Sequence, residues 1–223
     1  MMHNVQLDIK GLLVGYNTPL LASIDLQISG GSLVIITGEN GSGKSTFLKH
    51  LAGIETPISG QIIINQTPLS KYSVAERAQL MALVLNQKID EPYITVEDIV
   101  KMGRYAQYQS IVLDQNVEEA IKLMKIEHIR HKYLNQISDG EWQKTNVARA
   151  IAQNTPIILL DEPTAFLDYP SKIALFKDLK QIALAFNKII LVSTHDIHVC
   201  KNEGTRFWHI QNGVLTDNTQ SVW

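Results

Sequence analysis

Short runs of continuous apolar residues alternate along this chain with segments whose apolar side chains recur at helical spacing. Leu33-Val34-Ile35-Ile36, Ile157-Ile158-Leu159-Leu160 and Ile189-Ile190-Leu191-Val192 have no polar alternation, which is the pattern of strands covered on both faces. The first run leads through a glycine-rich turn into Phe47, Leu48, Leu51 and Ala52, one face of a helix. Between the last two runs, residues 171–185 place Ile173, Phe176, Leu179, Ile182 and Ala183 in one stripe, so a crossover helix is expected to join parallel strands. Residues 1–30 and 60–66 predict antiparallel strands, and residues 207–215 a late hairpin turning at Gln211-Asn212-Gly213. Residues of about 95–153 read as mostly helical, with Val117, Ala120, Ile121 and Met124 on one face and Val147, Ala150 and Ile151 on another. The expected fold is α/β: a nucleotide-type parallel core, a β-rich edge and an inserted helical lobe. A single domain over 1–223 is expected, with about 1–87 and 154–223 forming the core and β part and about 88–153 the helical part.

Composition narrows the function without choosing it. At 223 residues and 45% hydrophobic, the chain can bury one substantial core. Twenty basic and 22 acidic residues leave a net charge of -2, which provides no global cationic field for a phosphate backbone, and nucleic acid is not an expected partner. One cysteine, Cys200, cannot form an internal disulfide, and neither a leader segment nor an apolar run long enough for a bilayer is expected. The anticipated setting is the cytosol.

The chemistry begins at Gly38-Glu39-Asn40-Gly41-Ser42-Gly43-Lys44-Ser45-Thr46, which fits G-x4-G-K-[ST] between a buried strand and a helix. Glycines let the backbone wrap anionic oxygens, Lys44 suits the terminal phosphates, and the Ser45 hydroxyl suits Mg²⁺. A nucleoside triphosphate with magnesium is therefore the expected ligand. At the carboxyl end of the second apolar run stand Asp161 and Glu162, where ligands gather in open α/β sheets. Asp161 suits the metal and Glu162 an attacking water; a helix N-cap is the alternative use of such a pair. The combination favours hydrolysis over transfer to a second substrate.

From about residue 3 to 215 the ordered motifs resemble the nucleotide-binding subunit of an ABC transporter. The resemblance implies an adenine-stacking role for Tyr16, for which ordinary strand packing is the alternative. It implies that Gln87, ending Leu83-Val84-Leu85-Asn86-Gln87, contacts Mg²⁺ and the water. Ile137-Ser138-Asp139-Gly140-Glu141-Trp142-Gln143 resembles the signature motif, with Ser138 and Gly140 in matching positions; locally, Ser138 to Glu141 also reads as a capping box. In the family this helix terminus meets the γ-phosphate of the opposite subunit, which implies a head-to-tail dimer sandwiching two ATP molecules. Asp139 departs from the pattern, because it stands where L-S-G-G-Q has its first glycine. The resemblance makes Ala165-Phe166-Leu167-Asp168 the loop through which Asp168 communicates between sites, with a simple turn as the alternative. It makes His195 the switch histidine that contacts the γ-phosphate and helps hold Glu162. His3, His50, His128, His131, His198 and His209 are expected to be solvated or packed, and the i, i+3 pair His128 and His131 lacks the company of a metal site.

Residues 68–78, Thr95-Val96-Glu97-Asp98-Ile99-Val100, Met102-Gly103-Arg104-Tyr105 and Gly140-Glu141-Trp142-Gln143 are similar to ATPases of iron-siderophore, haem and vitamin B12 importers. The resemblance thus implies transmembrane permease subunits as partners, a solute-binding protein indirectly, and a peripheral position at the cytoplasmic face of the inner membrane. An importer of another solute, an exporter, a soluble ABC protein and a P-loop kinase are the competing readings. A kinase would need an acceptor site in place of Gln87, the signature and His195, and a soluble protein acting on nucleic acid or ribosomes would carry fused tandem cassettes or a basic extension.

Overall fold

The computed structural model describes residues 5–86, 91, 93–107, 113–196, 199, 204 and 206–219. The three apolar runs become β3 (Ser32–Gly38), β7 (Ile157–Asp161) and β8 (Ile189–Thr194), flanked by β6 (Met81–Val84), β9 (Arg206–Gln211) and β10 (Val214–Asp217). They form a six-stranded sheet in the order β10-β9-β3-β8-β7-β6. All neighbouring pairs are parallel except β10 with β9. The helix α6 (Tyr169–Ala185) connects β7 to β8, as its apolar stripe requires; Leu175, Phe176, Leu179, Ile182 and Ala183 are buried and Ile173 is packed at the margin.

Side-chain alternation along β3 divides the interior in two. Leu33 and Ile35 point to one face, against α6 and the helical lobe, with Ile158, Leu160, Ile190 and Val192. Val34 and Ile36 point to the other, with Ile157, Leu159, Ile189 and Leu191. There they meet Phe47, Leu48 and Leu51 of α1 (Lys44–Leu51) and a second, antiparallel sheet. That sheet contains β1 (Gln6–Leu13), β2 (Ile24–Ser29), β4 (Ser59–Ile64) and β5 (Thr67–Pro68) in the order β2-β1-β4-β5. Each large apolar side chain so enclosed contributes roughly 1.5–3 kcal/mol of transfer free energy.

Two placements differ from the sequence expectation. The antiparallel strands lie over a face of the core sheet instead of extending its edge, because the alternate residues Leu7, Ile9, Ile62 and Ile64 need an apolar partner. The late hairpin is present, but β9 pairs in parallel with β3, as in Ile36 with Trp208, so it belongs to the core sheet.

The helical segment lies between β6 and β7. It contains α3 (Val96–Met102), α4 (Leu113–Leu123) and α5 (Asp139–Ala152), all packed into the same buried cluster as α6. Thr95 and Ser138 open α3 and α5 with capping boxes closed by Asp98 and Glu141. Arg130 grips Glu97 through two bonds of 2.9 Å and also binds Glu118. At the far end of α5, buried Arg104 donates to the Ala152 carbonyl at 2.9 Å. Beside it Gln153 donates to Ala78 and Met81 carbonyls at 2.7 and 3.1 Å. The carboxyl end of α5 is thus tied to α2 (Val74–Leu80) and β6.

Candidate functional site

β3 ends at the phosphate loop, on the side of the sheet where the carboxyl ends of its parallel strands lie, and two glycines explain how the loop closes. A β carbon on Gly38 would lie 2.7 Å from both the Ile210 carbonyl oxygen and Ser42 Oγ. Gly43, at the N-cap of α1, has φ 103°, and a β carbon there would lie 3.0 Å from Leu20. With no side-chain cap at Gly43, the first-turn N–H groups of α1 are left for an anion. Asn40 and Gly41 are exposed at the crest of the loop, and Ser45 and Thr46 are half-buried in the first turn of α1. Ser42 Oγ is buried without a hydrogen-bond partner among the described residues.

Lys44 is only 6% exposed, and its ammonium donates to the Gly38 and Glu39 carbonyls at 2.9 and 3.0 Å. It also lies 3.6 Å from Glu162 Oε1. The other carboxylate oxygen of Glu162 is 2.9 Å from His195 Nδ1. One carboxylate therefore joins a lysine from α1 to a histidine just beyond β8, residues separated widely in the chain. Glu162 sits at φ 50°, a conformation that costs a side-chain-bearing residue on the order of 1–3 kcal/mol. Its N–H is held by the Ser193 carbonyl at 3.1 Å and by Ser193 Oγ at 3.0 Å. The strain turns the carboxylate toward the loop mouth.

Ser193 is the residue that sequence reasoning missed. It is fully buried and donates to Asp161 Oδ1 at 2.6 Å, so one hydroxyl orients both acids. The signal was a matter of register: Ser193 and Asp161 are paired residues of β8 and β7. Asp161 is 7% exposed and has no salt bridge among the described residues, which keeps a buried, hydrogen-bonded carboxylate available to a cation. Among the described residues no three His, Cys, Asp or Glu side chains form a metal cluster. His128 pairs with Glu141 at 3.6 Å and His131 with Glu97 at 3.5 Å, so those two histidines serve separate surface carboxylates.

Tyr16 is 60% exposed and is not packed into the strand core. Its loop reaches the phosphate loop through Leu20 and Leu21, which lie against Gly43, and through His50, whose ring is 6.4 Å from the Tyr16 ring. Gly38, Glu39, Ser42 and His195 line a cavity of about 400 Å³ with Gln211 at the end of β9 and Asn212 of the β9–β10 turn. That turn was not expected to face the site.

The signature residues stand apart. Ser138 caps α5 by accepting from Glu141 N at 3.2 Å, while its own N and Oγ donate to Glu141 Oε2 at 2.7 and 2.9 Å. These bonds lower the Glu141 carboxyl pKa from its ordinary value, the bond from the Ser138 backbone being the largest cause. Ser138, Asp139, Gly140, Phe166, Leu167 and Asp168 line a groove of about 550 Å³, which shares no lining residue with the phosphate-loop cavity. Asp139 is exposed in the first turn of α5, where the helix dipole favours an acid. Asp168 occupies the N-cap of α6 but makes no side-chain capping bond, so helix capping does not account for its carboxylate. Gln87 lies outside the described residues, as do His3, His198 and Cys200.

The profile of the protein family described as "ABC transporter" matches residues 21–165. An uncharacterised ABC transporter ATP-binding protein of Methanocaldococcus jannaschii is 33% identical over 209 residues, covering 91% of this chain and 72% of the relative. The achromobactin transport ATP-binding protein of Dickeya dadantii is 31% identical over 198 residues, covering 85% and 73%. A spermidine/putrescine import ATP-binding protein of Legionella pneumophila is 31% identical, covering 85% of this chain and 52% of the relative. Among solved structures, a dimeric ATP-binding cassette in a post-hydrolysis state with ADP and Pi superimposes with a TM-score of 0.81 at 27% identity, covering 95% and 98%. An inward-facing metal-chelate type ABC transporter superimposes at 0.82 with 25% identity, covering 98% and 85%.

Proposed function

Starting from the fact that this chain belongs to the ABC transporter family as an ATP-hydrolysing, ATP-binding subunit, we propose the following division of labour among its residues. The backbone from Gly38 through Thr46, with Asn40, Gly41, Ser42, Gly43 and Lys44, cradles the triphosphate, and Tyr16 stacks on adenine. Glu162 orients and deprotonates the attacking water, and His195 holds Glu162 and contacts the γ-phosphate. The γ-phosphate oxygens compete with Glu162 for Lys44, freeing the carboxylate for the water. The observation that carries this reading is the meeting of Lys44, Glu162 and His195 at one carboxylate, with contacts of 3.6 and 2.9 Å.

The donor set fits magnesium. Ser193 occupies Oδ1 of Asp161, so Oδ2 and the Ser45 hydroxyl are hard oxygen donors of the kind this ion takes, with phosphates completing its shell. Ser45, Asp161 and Gln87 would hold it. Bound there, magnesium would neutralise charge on the β- and γ-phosphate oxygens.

Ser138 and Gly140 line a groove separate from Lys44 and Glu162, which supports a head-to-tail dimer in which each signature helix serves the partner's ATP and Asp168 communicates between the two sites. Residues of about 1–87 and 154–223 act as the nucleotide core and about 88–153 as the lobe that carries the signature. The subunit lies at the cytoplasmic face of the membrane on permease subunits and energises import of a metal chelate. The achromobactin relative and the metal-chelate type neighbour support that solute class.

Glu162→Gln is expected to keep ATP binding, abolish turnover and trap an ATP-dependent dimer in size-exclusion chromatography; wild-type hydrolysis would remove Glu162 from the role of base. Pull-down of the native complex, followed by transport assays with labelled ferric siderophore and labelled spermidine, tests the solute class. Uptake of the polyamine alone would replace the chelate reading.

A further inference from the structure

His50 is a penultimate helix residue that is fully buried. Both of its ring nitrogens meet backbone carbonyl oxygens. Nδ1 lies 2.8 Å from the Thr46 oxygen, one turn earlier in α1, and Nε2 lies 3.2 Å from the Gly15 oxygen, in the loop that carries Tyr16. A carbonyl can only accept, and a neutral imidazole has one N–H and one lone pair. Satisfying both contacts therefore requires an imidazolium.

We propose that His50 is a proton-dependent positioning residue: as an imidazolium it latches the Tyr16 loop to the phosphate-loop helix, and loss of its proton releases that loop and weakens ATP binding. The consequence for ATP rests on the reading of Tyr16 as the adenine platform. The latch couples the two ends of the nucleotide site, because the same α1 begins at Lys44 while the same loop packs Leu20 on Gly43. Among the described residues, the titratable and charged groups near the ring are these. Tyr16 is tilted 60° to it, Lys49 precedes it in the last turn of α1, and Glu55 and Arg77 line the cavity of about 140 Å³ on its other side. The Arg77 guanidinium already donates to the Tyr72 and Gly53 carbonyls at 2.9 and 3.1 Å.

The test compares the full chain with His50→Gln, whose amide can donate but does not titrate in this range. Dissociation constants for a non-hydrolysable ATP analogue with magnesium would be measured by calorimetry between about pH 6 and about pH 8.5, spanning imidazole titration. Titration of the triphosphate itself is common to both proteins and cancels. Relative to the variant, the wild type is expected to lose affinity roughly three- to tenfold as pH rises, the scale of one hydrogen bond. Parallel profiles would overturn the latch. Nitrogen NMR of ¹⁵N-histidine-labelled wild type, assigned through ring correlations, offers a readout that survives misfolding of the variant. A ring protonated on both nitrogens at the acidic end supports the proposal, and a single neutral tautomer throughout refutes it. Tyr16→Ala separates the two layers. Unchanged affinity in that variant sinks the platform reading and the nucleotide consequence with it, whereas weakened affinity with parallel His50→Gln and wild-type profiles sinks the latch alone.

Discussion

Ser193→Ala removes a single oxygen that the structure uses twice. The hydroxyl donates to Asp161 Oδ1 at 2.6 Å and accepts from Glu162 N at 3.0 Å, in a fully buried position. Losing the second contact costs little, because the Ser193 carbonyl still receives the Glu162 N–H at 3.1 Å. Losing the first deprives a buried carboxylate of a charge-assisted bond, for which about 1.5–3 kcal/mol is the expected loss. In a chain of this size that is a fall in melting temperature of about 3–12 °C. Because the same hydroxyl orients both acids, kcat should fall by about tenfold or more, as for the loss of other partners that orient a reacting group. Differential scanning calorimetry and steady-state ATPase assays give the two numbers. A double-mutant cycle with Asp161→Ala locates the interaction, since removing Ser193 in that background should cost much less. A variant that melts and turns over like the wild type would refute the claim that Ser193 positions the acids, and full additivity in the cycle would refute the Asp161 contact as its route.

Other expectations concern stability and its pH dependence. The Glu97 carboxyl is held down to about 2, chiefly by its bonds from Arg130 and then from Lys101, so its contribution is present above about 4.5 and is lost as pH falls toward about 2. After screening in this surface network the loss is about 1–2 kcal/mol, and Arg130→Met should flatten that acid limb in urea titrations. Burial pulls Lys188 down to about 8, only partly opposed by Glu119, so the unfolded chain binds the extra proton between about 8 and about 10.5. Stability should therefore rise with pH through that window, by at most about 3 kcal/mol; an unchanged urea midpoint in wild type, or an equal rise in Lys188→Met, would contradict it. In Gly103→Ala the new β carbon would lie 2.2 Å from the Arg149 carbonyl oxygen and 3.3 Å from Gln153 N. The resulting overpacking at the α5 anchor should cost about 1–3 kcal/mol, read as a lower urea midpoint.

Much of the site was legible in the sequence because its parts are local. The G-x4-G-K-[ST] loop carries its own turn chemistry, and the Ser138–Glu141 capping box is a four-residue arrangement that the structure reproduces bond for bond. Continuous apolar runs mark strands buried on both faces wherever they pair, so β3, β7 and β8 could be placed without knowing their neighbours. Such signals depend on near-neighbour sterics and hydrogen bonds, which a short stretch of chain fully specifies.

What the chain segments could not announce depends on which strand lies beside which. β9 enters the core sheet next to β3, which brings the Asn212 turn to the phosphate loop. Register places Ser193 opposite Asp161, and a fold-back brings Gly15 onto His50. Asp161 and Asn212 could be picked out locally, but no local signal pairs any of these residues with its partner, because each meets it through a contact with a distant part of the chain. By itself, then, the sequence determined the buried strands, the caps and the loops that carry the reacting groups, since those follow from local periodicity and turn chemistry. Only the tertiary structure decided that one carboxylate, Glu162, would stand between Lys44 and His195, because that meeting is set by strand order and register among segments more than thirty residues apart.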